Sequence, residues 1–168
     1  MRSWAVFDSP VQNALHTIKY RRNIGLADSI GLQLVEFVKS LNWNVDALIP
    51  MPLGKARLKE RGYNQVALVA RPLAYELGLD YAPHGLKKTR ETRSQVGLNI
   101  AQRLGNVREA YQADPSVVKR KSVLLMDDVA TTGSTIASAT EALLSAGADA
   151  VFALTIARAL SHHDLNRV

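Results

Sequence analysis

Ser122-Val-Leu-Leu-Met-Asp127-Asp128-Val-Ala-Thr131-Thr132-Gly133-Ser134-Thr135 is the stretch on which the fold of this 168-residue chain turns. Its apolar run is continuous rather than alternating, as in a parallel strand buried on both faces. Ile136, Ala139, Leu143 and Ala146 then recur at helical spacing, and Gly147 stops them. Ala150-Val-Phe-Ala-Leu-Thr-Ile-Ala157 reads as a second buried strand. Strand, helix and strand between residues 122 and 157 form a βαβ unit. Strands alternating with helices elsewhere give an α/β fold: an open, mostly parallel sheet with helices on both faces.

In such a sheet, ligands bind outside the carboxyl ends of the strands, where Asp127 and Asp128 lie. Ionised carboxylates only accept hydrogen bonds, so this pair suits hydroxyls or a metal rather than phosphate. Thr131 to Thr135 lead into a helix N-terminus. Backbone N–H groups, hydroxyls and the positive end of the helix dipole meet there, which suits phosphate. Gly133 permits close backbone approach. A vicinal diol beside a phosphate describes a ribose 5-phosphate. Two plainer readings compete: an acidic pair that binds Mg²⁺ alone, and a Thr/Ser turn that only caps its helix. A P-loop is excluded, because its glycine spacing and lysine are missing.

Upstream, Val11, Ala14, Leu15 and Ile18 mark a first helix, interrupted at Asn23 and Gly25. Ile30, Leu34, Phe37 and Leu41 mark a second. Asp46 to Met51 suits a buried strand entering a loop. Met51 to Tyr63 is basic and holds Pro52, Gly54 and Gly62, which predicts a loop or irregular turn. Asn64 caps a helix with Val66, Val69, Leu73 and Leu77 on its apolar face and Gly78 at its end. Pro72 predicts a kink there or a shorter helix. Leu79 to Lys88 predicts one short strand, Asn99 and Gln102 a short capped helix, and Tyr111 a return to extended structure.

The chain carries 21 Lys and Arg against 15 Asp and Glu, a net +6. From Met51 to Arg108 there are eleven bases and four acids, a net +7, so one third of the chain holds all the excess. That third is expected to face an anion. Hydrophobic residues are 47% of the chain and charged residues 21%, which argues against disorder. No run of eighteen apolar residues occurs, and no signal peptide is evident, so a membrane span is not expected and a cytoplasmic protein is. Cysteine is absent, which excludes a disulfide framework or a Cys-based zinc site within this sequence.

The thirteen residues Val123 to Thr135 resemble the phosphoribosyl-pyrophosphate (PRPP) motif of type I phosphoribosyltransferases. Ile49-Pro-Met-Pro-Leu53, Arg57, Arg61-Gly-Tyr-Asn-Gln65, Arg90, Thr92, Gln95, Gly97-Leu98, Arg103 and Asn106-Val107 resemble the ComF/GntX family, as does Lys19-Tyr20-Arg21. The resemblance covers roughly residues 14–158. Many family members begin with a four-cysteine zinc module, so this chain reads as a short or truncated member without zinc. Arg22 stands where a glycine is common, and Pro72 interrupts a usually regular helix.

The resemblance implies a single type I phosphoribosyltransferase domain over residues 1–168. Residues 1–45 would be a helical, hood-like segment and 46–160 the α/β core. Asp127 and Asp128 would hold the 2′- and 3′-hydroxyls as the catalytic pair, with Mg²⁺ bound indirectly nearby. Ala130, Thr131, Thr132, Gly133, Ser134 and Thr135 would hold the 5′-phosphate. Met51, Pro52, Leu53, Lys55, Arg57 and Arg61 would take pyrophosphate, Arg61 being equally readable as a lock between loop and helix. Lys88, Arg90, Thr92, Arg93, Gln95 and Arg103 would belong to a flexible loop over the ligand.

The partners implied are PRPP or a nucleotide, an unidentified base or amine acceptor, and a second copy in a homodimer. The rival function is a non-catalytic competence, DNA-uptake or nucleotide-sensing accessory whose basic segment contacts single-stranded DNA. Aromatic residues are only 6% of the chain, which counts against that rival. His84, His162, His163, Trp4 and Trp43 read as solvated or packing residues, and Tyr63 as a packing residue flanking the basic loop.

Overall fold

In the computed structural model, residues 1–89 and 110–159 are described. Strand β1 (Arg2–Val6) opens the chain and is followed by α1 (Ser9–Arg21) and α2 (Ile24–Ser40). Next come β2 (Ala47–Pro50), α3 (Lys55–Arg61), α4 (Gln65–Leu77), β3 (Asp80–Tyr81) and β4 (Leu86–Lys88). The described part ends with β5 (Tyr111–Ala113), α5 (Pro115–Val118), β6 (Ser122–Ala130), α6 (Ser134–Ser145) and β7 (Ala150–Arg158). Five strands form one parallel sheet in the order β1-β7-β6-β2-β3. Strands β4 and β5 form a separate antiparallel hairpin.

Strand parity explains why β6 reads as a continuous apolar run. Leu124 and Met126 point into a core under α1, α2 and α4, together with Leu48, Leu154 and Ile156. Val123 and Leu125 point the other way, into a core with Ile49, Leu86, Tyr111, Val118, Ile136 and Leu143. Both faces are covered, so both parities are apolar. Each fully buried leucine contributes roughly 1.5–3 kcal/mol.

The helices start where short polar side chains satisfy their first N–H groups. Asp8, Asn23, Asn64 and Asp114 cap α1, α2, α4 and α5. Helix α4 is not shortened at Pro72. It runs from Gln65 to Leu77 and ends on Gly78 in the left-handed region. The Pro72 ring packs onto α2 at Gly31, where a Cβ would lie 2.6 Å from Pro72 Cγ and 2.6 Å from the Val69 carbonyl. Glycine there is what lets the two helices approach.

Three expectations change. Residues 55–61, read as loop, are helix α3, with Gly62 at φ 77° as its left-handed end. The single strand expected over 79–88 is two strands in different sheets. The N-terminal residues are not all helical: β1 is an edge strand paired with β7, its Ser3 hydroxyl 2.7 Å from that of Thr155. The short helix expected at Asn99, and the tail histidines, lie outside the described residues.

Candidate functional site

Parity also separates the two acids. β6 continues to Ala130, so Asp127 and Asp128 are strand residues on opposite faces rather than loop residues beyond its end. Asp127 follows Val123 and Leu125 toward α6 and the β4–β5 hairpin. Asp128 follows Leu124 and Met126 toward α1 and α4.

Asp128 is buried and tightly held. Its Oδ2 accepts from Lys19 Nζ at 2.7 Å and from Gln65 Nε2 at 2.9 Å, and its Oδ1 accepts from Val129 N–H at 2.8 Å. Gln65 Oε1 accepts in turn from Arg61 Nη1. The amide orientation follows from chemistry, since a guanidinium only donates and a carboxylate only accepts.

Asp127 has a different environment. Its Oδ1 accepts the Asp128 N–H at 2.8 Å. Burial, and then the Asp128 charge, push its carboxyl up to about 7, against the opposing pull of Lys19 and Lys88. Tyr111 sits near enough to feel it: burial first, then the Asp127 charge, raise its phenol to about 12, with Arg57 acting the other way. Lys88 Nζ lies 6.0 Å from the Tyr111 ring centroid. The hairpin thus brings Lys88 and Tyr111 to the acidic pair, closed by a Thr89 N–H to Ala110 carbonyl bond of 2.9 Å.

Asp127, Ala130, Thr131, Thr132, Gly133 and Thr135 line one small pocket. Gly133 takes φ 78° and is the N-cap of α6, and no side chain caps the helix from that position. Thr132 Oγ1 lies 3.1 Å from Ser134 Oγ. The first turn of α6 therefore presents backbone N–H groups and hydroxyls at the end of the strand that carries the acids, an arrangement that favours an anion.

The predicted pyrophosphate residues fall on the neighbouring strand end. Met51 N–H donates to the Met126 carbonyl at 2.7 Å, and its own carbonyl accepts from Asn64 Nδ2 at 2.9 Å. Pro52 and Leu53 follow, and Gly54 begins α3, which carries Lys55, Arg57 and Arg61. Arg57, Glu60 and Arg61 line a cleft of about 450 Å³ with Lys19, Tyr20 and Tyr63. Arg90, Thr92, Arg93, Gln95 and Arg103 lie outside the described residues.

Lys19 and Gln65 had no assigned role in the sequence, though both sit in segments that matched the family. Tyr63 is a tether rather than a core residue. Its hydroxyl lies 2.6 Å from the Ile18 carbonyl and 2.9 Å from that of Lys19, to which it donates, and it accepts from Arg22 N–H at 3.2 Å. Arg22 also lies 5.6 Å from the Tyr63 ring, and Arg61 lies 5.5 Å from that of Tyr20.

Residues 60–165 match the phosphoribosyl transferase domain family. The chain is 30% identical over 161 residues to DNA utilization protein YhgH of Escherichia coli K12, covering 93% of this chain and 70% of that one. It is 32% identical over 116 residues to competence protein F of Haemophilus influenzae, covering 68% of this chain but only 51% of the relative. Among solved structures, glutamine PRPP amidotransferase from B. subtilis superposes with a TM-score of 0.55 at 24% identity, covering 77% of this chain and 26% of that one. The type I phosphoribosyltransferase fold that the resemblance implied is therefore the fold of this chain. With its domain match and its competence and DNA-utilization relatives, the chain belongs to the ComF family within the phosphoribosyltransferase superfamily.

Proposed function

We propose that this protein binds PRPP or ribose 5-phosphate and transfers the phosphoribosyl group to a nitrogenous acceptor, or releases it from one. The observation that carries this reading is the pairing, at one strand end, of two carboxylates with an α6 N-terminus whose N-cap, Gly133, has no side chain, Thr132 Oγ1 reaching only the Ser134 N–H at 3.4 Å. The carboxylates suit the sugar hydroxyls. Ala130 and Thr131 to Thr135 suit the 5′-phosphate, and Met51 to Leu53 with Lys55, Arg57 and Arg61 suit pyrophosphate.

Pyrophosphate leaves C1 of the ribose as the acceptor nitrogen attacks. The positive charge developing on the sugar needs no protein nucleophile, so the chain's contribution is placement and electrostatics. Arg57 and Arg61 stabilise the leaving charge, and the hydroxyl contacts orient C1. Among the described residues, no third His, Cys, Asp or Glu joins the acids in a metal-binding group. Two carboxylates fit Mg²⁺ held jointly with water and substrate oxygens rather than by a protein cage. Its chemistry there would be to neutralise pyrophosphate charge.

Calorimetric titration with Mg²⁺ and PRPP tests the reading. Saturable binding is expected in the wild type and its loss in Asp127→Asn; no binding in the wild type sinks it.

A second reading, a non-catalytic DNA-handling or nucleotide-sensing accessory, has one observation in its favour. Tyr20 is 66% exposed and lies under Arg61, beside Tyr63 under Arg22. Folding thus gathers aromatics that the sequence leaves dispersed. Micromolar single-stranded DNA binding that weakens steeply with salt and survives Asp127→Asn would favour it.

A further inference from the structure

Asp128 and Asp127 differ in how much of each carboxylate the protein itself uses. A carboxylate offers about four acceptor positions. Lys19, Gln65 and the Val129 N–H occupy three of them on Asp128. Among the described residues, only the Asp128 N–H is seen to donate to Asp127. Two of the donors to Asp128 come from distant chain segments: Lys19 closes α1, and Gln65 opens α4.

Gln65 is buried, at 6% exposure. It bridges the Arg61 guanidinium, which can only donate, to the Asp128 carboxylate, which can only accept. A side chain in that place needs an acceptor and a donor at once, and the Gln65 carboxamide supplies both. Holding a buried amide in place solely to pack the core would be wasteful, since an apolar residue of the same shape does so without desolvation cost. Lys19 sets an opposite charge 2.7 Å from Asp128 Oδ2.

We propose that Lys19 and Gln65 are positioning residues that immobilise Asp128, so that it presents one remaining acceptor position to a sugar hydroxyl while Asp127 takes the rest. This rests on the phosphoribosyl reading above. Their work is to make the site distinguish a ribose phosphate from a bare phosphate monoester. They touch Asp128, and the substrate contact is made by the acid.

The test compares two probes by calorimetry, ribose 5-phosphate and propyl phosphate, which shares the monoester and lacks the ring hydroxyls. The wild type should prefer ribose 5-phosphate. Lys19→Met and Gln65→Glu should each weaken ribose 5-phosphate about tenfold or more, the scale of a hydrogen bond to a charged group. Propyl phosphate affinity should stay within about twofold, so the ratio between the probes collapses. Lys19→Arg, which keeps the charge, should restore most of the ratio.

An unchanged ratio overturns the inference, and so does a parallel loss for both probes, which marks a merely structural role. Tighter ribose 5-phosphate binding in Lys19→Met also overturns it, because Lys19 would then be a competitor for Asp128. If Gln65→Glu does not fold, the two Lys19 variants decide the question. A wild type that binds neither probe refutes the phosphoribosyl reading and this inference with it. A wild type with a clear preference that the variants retain refutes this inference alone.

Discussion

The two faces of β6 are built in different ways. On the α6 face, the site is one stretch of chain: Asp127, the turn Thr131–Gly133 and the first turn of α6 follow one another between Asp127 and Ala137. On the α1–α4 face, Asp128 is held by Lys19 and Gln65, 109 and 63 positions away in sequence. The first face is a local motif with an under-neutralised carboxyl. The second is a satisfied ion pair and hydrogen-bond network that depends on how three helices pack. Proteins commonly concentrate such an electrostatic tension at functional positions, and the contrast assigns it to Asp127.

The two faces should therefore fail separately. Gly31→Val places atoms into the Pro72 ring and the Val69 carbonyl, each 2.6 Å from a Cβ at that position. Helix α2 must move away from α4, at a cost of about 3 kcal/mol in chemical denaturation, the upper end for overpacking. Gln65 begins α4, the other partner in that contact, so the preference for ribose 5-phosphate over propyl phosphate should shrink. Propyl phosphate, which on the proposed reading binds at the α6 turn, should bind as before. Equal loss of both would show that the faces are one unit.

The α6 face makes the next largest prediction, through pH. The native carboxyl of Asp127 is raised to about 7, above its ordinary 3.8. Between those values the folded state binds more protons than the unfolded one, so stability falls as pH rises from about 4 to about 7. Asp127→Asn removes the titrating group. The variant should be about as stable as wild type near pH 4 and more stable at pH 8, by on the order of 2 kcal/mol. Urea denaturation across that range checks it. A wild-type curve that is flat, or rises, between those pH values would mean that Asp127 is not strained by its surroundings.

How legible each face was follows from the same contrast. The βαβ unit, the acids and the Thr131–Gly133 turn could be read because their order in the chain is their order in space. Parity along β6 puts Asp127 and Asp128 on opposite faces, but which helices cover each face is decided only by the fold. What lies opposite Asp128 was not legible. Lys19 sits at the end of an amphipathic helix whose spacing says only which face is buried, and Gln65 sits one residue past a cap. Helix α3 was hidden by Pro52, Gly54 and Gly62, which delimit it from outside: Gly54 precedes its first residue and Gly62 is its C-cap. Strand β1 was missed because its exposed and half-buried pattern carries no alternation to find. Edge strands pair on one side only, and propensity marks them weakly.

The smallest effect concerns the joint between the faces. The Tyr63 hydroxyl sits at the C-terminal end of α1, within 2.9 Å of the Lys19 carbonyl and 2.6 Å of the Ile18 carbonyl. Last-turn carbonyls have no helical partner, so a donor there fixes where the helix stops. It also accepts from Arg22, whose φ of 47° turns the chain out of the helix. Tyr63→Phe keeps the ring and its contact with the Arg22 guanidinium but removes the hydroxyl. These groups are partly exposed and water can replace the lost partner, so stability should fall by only about 1 kcal/mol. Lys19 is two residues from the fold of the chain at Arg21 and Arg22, and its grip on Asp128 depends on that end being fixed. Ribose selectivity should therefore fall by a smaller factor than in Lys19→Met, with propyl phosphate unaffected. A drop as large as that of Lys19→Met would make the Tyr63 tether, rather than the charge on Lys19, the main determinant of where Asp128 points.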